Sequence, residues 1–213
     1  MYKDTINIYL NKINKMEINN NNFLYIDSSI VLNKYGIDNI SINLQLKKHK
    51  SSKFSIITDD FGVPIDCNTY RISIKNAKIA DMQINNIIQN YPLLCLNNKT
   101  LIGDAVYDSN KIRDKLKNNK IGLLLTSRNT KNKEILNKQK LNFIKKIILN
   151  KRISVEHTIN KYKQFKRINI RYDKKSNNYN TLLRMASYLI FNKLTHFFYY
   201  FNIYIYFDIF ICF

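Results

Sequence analysis

The sequence contains 213 residues, of which 45% are hydrophobic, enough to bury the core of one domain and to argue against wholesale disorder. Its 35 Lys and Arg residues outnumber 15 Asp and Glu residues, and the net charge of +20 favours a polyanionic partner, nucleic acid first and an anionic membrane second. Three cysteines without C-x-x-C spacing argue against a disulfide framework or a zinc ribbon and favour a reducing compartment. Residues 1–22 are polar and Asn-rich, which does not fit a secretory signal peptide.

The distribution of the charge is more informative than its total. The 28 Lys, 32 Asn and 34 Ile residues indicate an AT-rich genome, so codon drift accounts for part of the basic excess. Residues 108–175, however, hold 21 of the Lys and Arg residues and only five acids. Tyr162, Phe165 and Tyr172 lie among these basic residues, and such interleaving suits a surface that neutralises phosphates and packs on sugars or bases. From charge alone, a solvated helix face fits the region equally well.

Apolar runs and helical periodicities alternate along the chain. An amphipathic segment over residues 4–16 and a polar linker at 19–22 precede the apolar run Phe23–Ile26, which predicts a buried strand ending at Asp27. The further predicted strands are Ile40–Leu46, Phe54–Thr58, the extended Val63–Ile65, Thr100–Gly103, which runs into Asp104, and Ile121–Thr126. The predicted helices are Ile79–Gln89, Asn110–Lys117 with Ser109 as N-cap, Leu141–Tyr162 with a break near Asn150, and Asn180–Leu194. This order predicts a mixed α/β domain without internal repeats.

Three carboxylates stand at informative places. Asp27 and Asp104 each follow a short apolar strand, so both are expected at the carboxyl edge of a sheet, where paired acids favour a divalent metal. In a helix, Arg152, Glu156 and Lys163 fall within about 40° of one another, so a carboxylate is flanked by two cations. An enzyme that acts on a phosphodiester needs this pattern. On spacing alone, an ordinary surface ion pair between Arg152 and Glu156 is the favoured interpretation.

Four segments carry a family resemblance. They are Leu24–Val31, an apolar run into Asp-Ser-Ser; Phe54–Pro64, with Asp-x-x-Gly-x-Pro at its end; Leu101–Ser109, with Tyr-Asp-Ser after Asp104; and Arg152–Glu156 followed by Lys163, Phe165, Arg167 and Arg171–Lys174. In this order they resemble the first-aspartate strand, the following strand and turn, the second-aspartate motif and the glutamate helix of the DDE transposases of bacterial insertion sequences. The resemblance covers about residues 23–194. The family pattern also has a Tyr three positions before Arg152, where this sequence has Leu149.

The resemblance implies a fold and an activity. The fold is a ribonuclease H-like mixed sheet flanked by helices, with an all-helical C-terminal part. The implied domains are a short helix and linker (1–22), a DDE transposase catalytic domain (23–194) and an aromatic, hydrophobic tail (195–213). The activity is DNA strand cleavage and strand transfer in cut-and-paste type transposition.

The resemblance also implies the site residues. Asp27, Asp104 and Glu156 are the catalytic acids, and they would hold two Mg²⁺ or Mn²⁺ ions about 3.5–4 Å apart. The implied DNA contacts are Arg152, Lys163, Lys166, Arg167, Arg171 and Lys174. His157 could assist proton transfer, but it lies about 100° from Glu156 on the helix and is expected to pack or to be solvated. Asp59, Asp60 and Asp66 are candidates for further metal ligands, although turn-forming roles fit them better.

The implied partners are DNA, both element ends and target, and a second copy of the chain in a synaptic complex. A membrane is not expected as a partner, and the expected location is inside the cell, where the host DNA lies. Two other function classes stay open: a catalytically inactive, truncated remnant that acts at most as a basic DNA-binding protein, and a basic membrane-surface protein that relies on the tail. The intact set of three acids argues against the remnant.

Both ends of the chain depart from the family. Only 26 residues precede Asp27, whereas family members carry a longer helical DNA-binding region there, so we expect either a separate reading frame or a truncated copy. Residues 196–213 are rich in aromatic residues and Ile and lie outside the resemblance. Their alternation over 201–211 favours a packed or pairing strand, and translation past a lost stop codon and a membrane anchor are the alternatives.

Overall fold

The computed structural model describes residues 4, 6, 7, 23–43, 48–91, 99–125, 150 and 152–211, with side chains up to residue 194. Most of the predicted N-terminal helix, the linker at 19–22, the segment 141–149 with Leu149, and Cys95 lie outside the described residues.

A mixed sheet of seven strands forms the centre of the described structure. The strands are β1 (Phe23–Asn33), β2 (Ser41–Asn43), β3 (His49–Thr58), β4 (Pro64–Tyr70), β5 (Thr100–Gly103), β6 (Gly122–Leu125) and β7 (Ile170–Arg171). β3 pairs antiparallel with β1, and on its other edge with β2 and β4. On the opposite side of β1, β5 runs parallel to it and β6 runs parallel to β5, while β7 adds a short parallel pairing at the far end of β1.

Helices cover both faces of this sheet. They are α1 (Asn76–Asn90), a 3₁₀ turn (Ala105–Tyr107), α2 (Asn110–Asn118), α3 (Ile153–Lys163), α4 (Lys166–Asn169) and α5 (Ser176–Ile211). The Ser109 side chain accepts a hydrogen bond from the Ile112 amide and caps α2, as predicted. Asp81 of α1 forms ion pairs with Lys111 and Lys115 of α2 and joins the two helices. The predicted mixed sheet flanked by helices, with a helix-rich C-terminal part, is confirmed.

Strand alternation divides the core into two layers. Leu24 and Ile26 of β1 pack in one cluster with residues of α1 and α2. Val31 of β1 and Ile56 of β3 pack in the other cluster with residues of α3, α4 and α5. Because successive side chains of a strand point to opposite faces, the odd-numbered residues of β1 face the α3 side.

β1 is longer than the sequence predicts. The prediction that the strand ends at Asp27 is wrong, because β1 pairs residue by residue with β3 from Tyr25 opposite Thr58 to Leu32 opposite Ser51. The apolar run ends at Ile26 since the following side chains are only half-buried, but the backbone pairing continues. β3 and β4 also extend beyond their predicted bounds, because their pairing continues through buried polar residues that the apolar pattern does not mark.

The predicted strand over 201–211 is also wrong, because α5 continues as a helix to Ile211. The first half of the helix packs on the core through Tyr179, Leu183 and Ile190, which are buried at helical spacing. Each further residue then adds a hydrogen bond without a new nucleus, and the last Gly and Pro of the sequence lie far upstream, at positions 122 and 92. No helix of the described part is both long and apolar enough to cross a membrane.

Candidate active site

Two of the three predicted acids come together at the edge where β5 ends. Tyr25 of β1 lies opposite Ile102 of β5, and each predicted aspartate follows two residues later. Tyr25 and Ile102 pack with Val155 of α3 in one small cluster. Because side chains alternate along extended backbone, Asp27 and Asp104 point to this same face of the sheet, under the helix that carries Glu156.

Local contacts hold the two aspartates. One oxygen of the Asp27 carboxylate accepts a hydrogen bond from the Ser28 amide at 2.8 Å. The Asp104 carboxylate accepts one from the Ala105 amide at 2.7 Å, as the N-cap of the 3₁₀ turn. This turn places the buried Tyr107 side chain in the cluster of Leu24 and Ile26, on the other face of the sheet.

The third acid, Glu156, stands in the first turn of α3, where a negative charge stabilises the N-terminal end of a helix. Its carboxylate forms a 3.4 Å ion pair with Arg152, one turn earlier, and its side chain is 51% exposed. The Arg152 side chain is mostly buried, and its Nε has no hydrogen-bond partner among the described residues. Arg152 therefore points toward the protein rather than away from it.

Three charged groups, Arg152, Glu156 and Asp104, influence the Asp27 carboxyl. Burial is the main factor that raises the pKa of the Asp27 carboxyl above its ordinary value. The Ser28 amide and the positive charge of Arg152 lower this pKa, whereas the negative charges of Glu156 and Asp104 raise it. Glu156 of α3 and Asp104, which follows β5, are therefore near enough to Asp27 to act on its carboxyl, as is Arg152.

A divalent cation fits this set of donors. A buried carboxylate with two further acids beside it is stabilised when a cation neutralises the group. As they stand, no three carboxylate, imidazole or thiol groups within the described residues lie close enough to hold a metal ion. The half-exposed side chain of Glu156 has room to rotate, so closure onto a cation would exchange its ion pair with Arg152 for a metal contact.

The β3–β4 turn fixes the position of α3. The Thr158 hydroxyl donates a hydrogen bond of 2.8 Å to the carbonyl oxygen of Gly62, which has a φ of +76°. The Asp59 carboxylate accepts hydrogen bonds from the Phe61 and Val63 amides, both at 2.9 Å, and closes the turn. The turn-forming interpretation of Asp59 is therefore confirmed, and the helix that bears Glu156 cannot shift without disturbing this turn.

Asp60 and Asp66 have structural partners as well. Asp60 accepts hydrogen bonds from the Tyr25 hydroxyl at 3.0 Å and from the Phe23 amide at 3.3 Å. Asp66 is buried, and its carboxylate accepts hydrogen bonds from the amide groups of Gln83, Asn86 and Asn68. His157 is exposed, in agreement with the solvated interpretation.

Sequence reasoning missed a polar chain that supports Asp27 from behind. The Ser55 hydroxyl contacts both the backbone oxygen of Asp27, at 3.2 Å, and the side-chain oxygen of Gln83, at 2.7 Å. Gln83 donates in turn to the Asp66 carboxylate at 2.9 Å. The signal was available, because Gln83 interrupts the apolar stripe of α1 one turn from both Ile79 and Ile87.

The predicted DNA contacts fall into two groups. Lys166, Arg167 and Lys174 are exposed, Lys163 is half-buried, and Arg167 forms a 2.8 Å ion pair with Asp173. Arg171 differs from all of these, because it is fully buried. Its guanidinium donates to the Asp38 carboxylate at 2.5 Å, to the Ser52 hydroxyl at 3.0 Å and to three backbone oxygens. The prediction that Arg171 contacts DNA is therefore wrong, since the residue belongs to the core.

The chain belongs to a family described as transposase DDE domain, whose sequence model matches residues 27–191. No curated protein matches the sequence.

Several solved structures are similar at low identity. The catalytic domain of Mos1 mariner transposase matches with a TM-score of 0.38 and 10% identity, over 75% of this chain and 89% of that one. The Mos1 mariner paired end complex with Mn matches with a TM-score of 0.36 and 16% identity, over 58% and 40%. The piggyBac transposase synaptic complex with hairpin DNA matches with a TM-score of 0.37 and 12% identity, over 54% and 24%. The chain spans 40% and 60% of the Mos1 chains in the complex with the left transposon end and in the pre-cleavage transpososome.

Proposed function

We propose that this chain is the catalytic part of a DNA transposase, which cleaves DNA strands and transfers the freed 3′ ends to target DNA in cut-and-paste type transposition. The observation that supports this most strongly is that Asp27 and Asp104 lie on one face of the sheet, under the helix that carries Glu156, although the three acids come from distant parts of the sequence. Membership in the transposase DDE domain family supports the same reaction type.

Each charged residue of the site has a role in this proposal. Asp27, Asp104 and Glu156 would hold Mg²⁺ or Mn²⁺, two ions in the full mechanism. Bound divalent cations of this kind activate an attacking hydroxyl and stabilise the negative charge on the leaving 3′ oxygen. Arg152, which lies beside two of the acids, would bind a phosphate of the cleaved strand. Lys163 lies on the same stripe of α3 and would bind a neighbouring phosphate.

The basic region would supply the remaining affinity for DNA. Residues 108–175 carry 21 basic residues against five acids, so their contribution is expected to be independent of sequence and sensitive to salt. Two element ends must be brought together in transposition, for which we propose a homodimer in a synaptic complex. The protein would act wherever the host DNA lies.

A second candidate function is that of an inactive remnant that binds DNA through its basic surface alone. It is favoured by one observation: Glu156 is paired with Arg152, and no three metal-binding side chains of the described residues are within reach of one ion. The two candidates differ in their response to Mg²⁺, because only the enzyme needs it to act.

A strand-cleavage assay separates the two candidates. The substrate is a duplex that carries the DNA flanking the reading frame, and the variants are Asp27→Asn, Asp104→Asn and Glu156→Gln. We expect each variant to lose Mg²⁺-dependent nicking and to keep its affinity for DNA. Asp114→Asn is the matched control, because Asp114 is an exposed acid of α2, and it should nick like the wild type. Full activity in any of the three variants would overturn the role of that acid, and DNA binding without nicking by the wild type would favour the remnant.

A further inference from the structure

Two exposed tyrosines lie side by side at the far end of β1, away from the acids. Tyr35 is 61% exposed and Tyr172 is 36% exposed. Their ring centroids are 6.1 Å apart, with 51° between the ring planes. The Lys34 ammonium lies 5.4 Å from the centroid of the Tyr172 ring. We call the group formed by Lys34, Tyr35, Tyr172 and Lys174 the tyrosine platform.

The backbone beneath the platform is held firmly. The Lys34 amide donates to the Arg171 carbonyl and the Ile37 amide donates to the Lys174 carbonyl, both at 2.9 Å. These bonds join the loop after β1 to the segment after β7 as one unit. Asn33 exchanges two hydrogen bonds with the backbone of Gly36, at 3.0 and 2.9 Å. The loop passes so close to the core that a Cβ on Gly36 would lie 2.9 Å from the Arg171 guanidinium.

The acids near the platform are already paired, so its surface is basic. The Asp38 carboxylate accepts hydrogen bonds from the Arg171 guanidinium and from the amide and hydroxyl of Ser176. Asp173 is paired with Arg167. Lys34, Lys174 and Lys175 are exposed, which leaves an excess of positive charge around the aromatic pair.

We propose that the tyrosine platform is a DNA-binding site, in which the lysines bind phosphates and the tyrosine rings pack against the sugars or bases of a strand. Aromatic rings set in a basic surface have the chemistry for this, because every base offers a π face and every linkage a negative charge. The rigid backbone favours binding further, since little conformational freedom of the loop is lost when the strand docks. This inference rests on the proposed function for the identity of the polyanion.

The sheet also gives the distance between the platform and the acids. Six residues of β1 separate Asp27 from Asn33, at the base of the platform, which corresponds to about 20 Å along the strand. A DNA strand that ran along β1 would advance about 3.4 Å per nucleotide and would reach the platform about six nucleotides from the phosphodiester that the acids attack. On that path, the platform contacts flanking or target DNA rather than the cleaved linkage.

The test measures the binding of the full chain to a labelled 30-base-pair duplex by fluorescence anisotropy in EDTA, where no cleavage occurs. Tyr35→Ala removes the more exposed ring and is expected to weaken binding ~10-fold. Tyr35→Phe keeps a ring and is expected to bind within about twofold of the wild type, since stacking needs no hydroxyl. Lys174→Gln is expected to lower the slope of log Kd against log salt by about 1, which Tyr35→Ala should not do. Met185→Ala, at an equally exposed apolar residue of α5, is the matched control and should bind normally.

Binding of Tyr35→Ala and Lys174→Gln at wild-type affinity would overturn the proposal. A change in the oligomeric mass of Tyr35→Ala at unchanged DNA affinity would overturn it as well, because the platform would then join two copies of the chain. A wild type that binds DNA through the platform but nicks none would overturn the proposed function and leave the platform in place.

Discussion

The buried guanidinium of Arg171 leads to the most specific prediction about stability. Arg171→Met keeps the length of the side chain but removes five hydrogen bonds, two of them to side chains. Loss of one partner of a buried ion pair costs about 3–5 kcal/mol, because the remaining charge is left without compensation. The Asp38 side chain is 45% exposed and can regain water, so we expect the lower end of this range, about 3 kcal/mol.

Urea unfolding followed by circular dichroism at pH 7 measures this loss. Arg167→Met is the matched control, since Arg167 also pairs with an aspartate, at 2.8 Å, but is 63% exposed, and we expect it to cost less than about 1 kcal/mol. A double-mutant cycle between Arg171→Met and Asp38→Asn should show a coupling free energy above about 1 kcal/mol. Equal losses in Arg171→Met and Arg167→Met, or no coupling, would refute the assignment of Arg171 to the core.

Three further predictions concern the supports of the fold and the site. Gly62→Ala places a Cβ at a positive φ and 2.9 Å from the Thr158 hydroxyl. Thermal unfolding should therefore show that the free energy of unfolding falls by about 1–3 kcal/mol. Unchanged stability would contradict the close contact between the β3–β4 turn and α3. Gln83→Glu puts a second carboxyl beside buried Asp66, and burial already raises the pKa of Asp66. Because both carboxyls are costly to ionise there, the variant should unfold at a lower urea concentration at pH 8 than at pH 5. An equal urea midpoint at both pH values would contradict the contact between residues 83 and 66. Burial raises the pKa of the Asp38 carboxyl, but the hydrogen bonds from Ser176 and Arg171 outweigh this effect and lower the pKa to about 2. The stabilisation from Asp38 is therefore present above about pH 4 and is lost as the pH falls toward 2. Asp38→Asn should lower the free energy of unfolding more at pH 7 than at pH 2.

The sequence predicts that Asp27 and Asp104 are neighbours better than it predicts the contacts that support them. Asp27 and Asp104 could be paired because each follows an apolar run that must be buried, and parallel neighbours align such runs. Glu156 could be assigned only through the resemblance, since its spacing to Arg152 also fits an ordinary ion pair, which the structure indeed contains.

The sequence could not predict the burial of Arg171 or the tyrosine platform, because both depend on contacts between residues far apart in the chain. Arg171 stands in a basic, aromatic segment that is typical of a nucleic-acid surface, and its partner Asp38 lies 133 residues away in the sequence. The tyrosine platform could not be predicted either, because Tyr35 and Tyr172 are far apart in the sequence and become neighbours only when β7 pairs with β1. The strand prediction for 201–211 was wrong because polar and apolar residues alternate there, and this local pattern is overridden by the continuation of helix α5.

Site-directed cleavage of the protein by bound iron shows whether Asp27, Asp104 and Glu156 hold divalent cations at one site. Fe²⁺ is added in place of Mg²⁺ together with ascorbate and peroxide, and the hydroxyl radicals cut the backbone near the metal. We expect cuts near residues 27, 104 and 156 in the same sample, and we expect excess Mg²⁺ to suppress them and Asp27→Asn to abolish them. Cuts near only one of these positions, or cuts that Asp27→Asn leaves unchanged, would contradict a shared site.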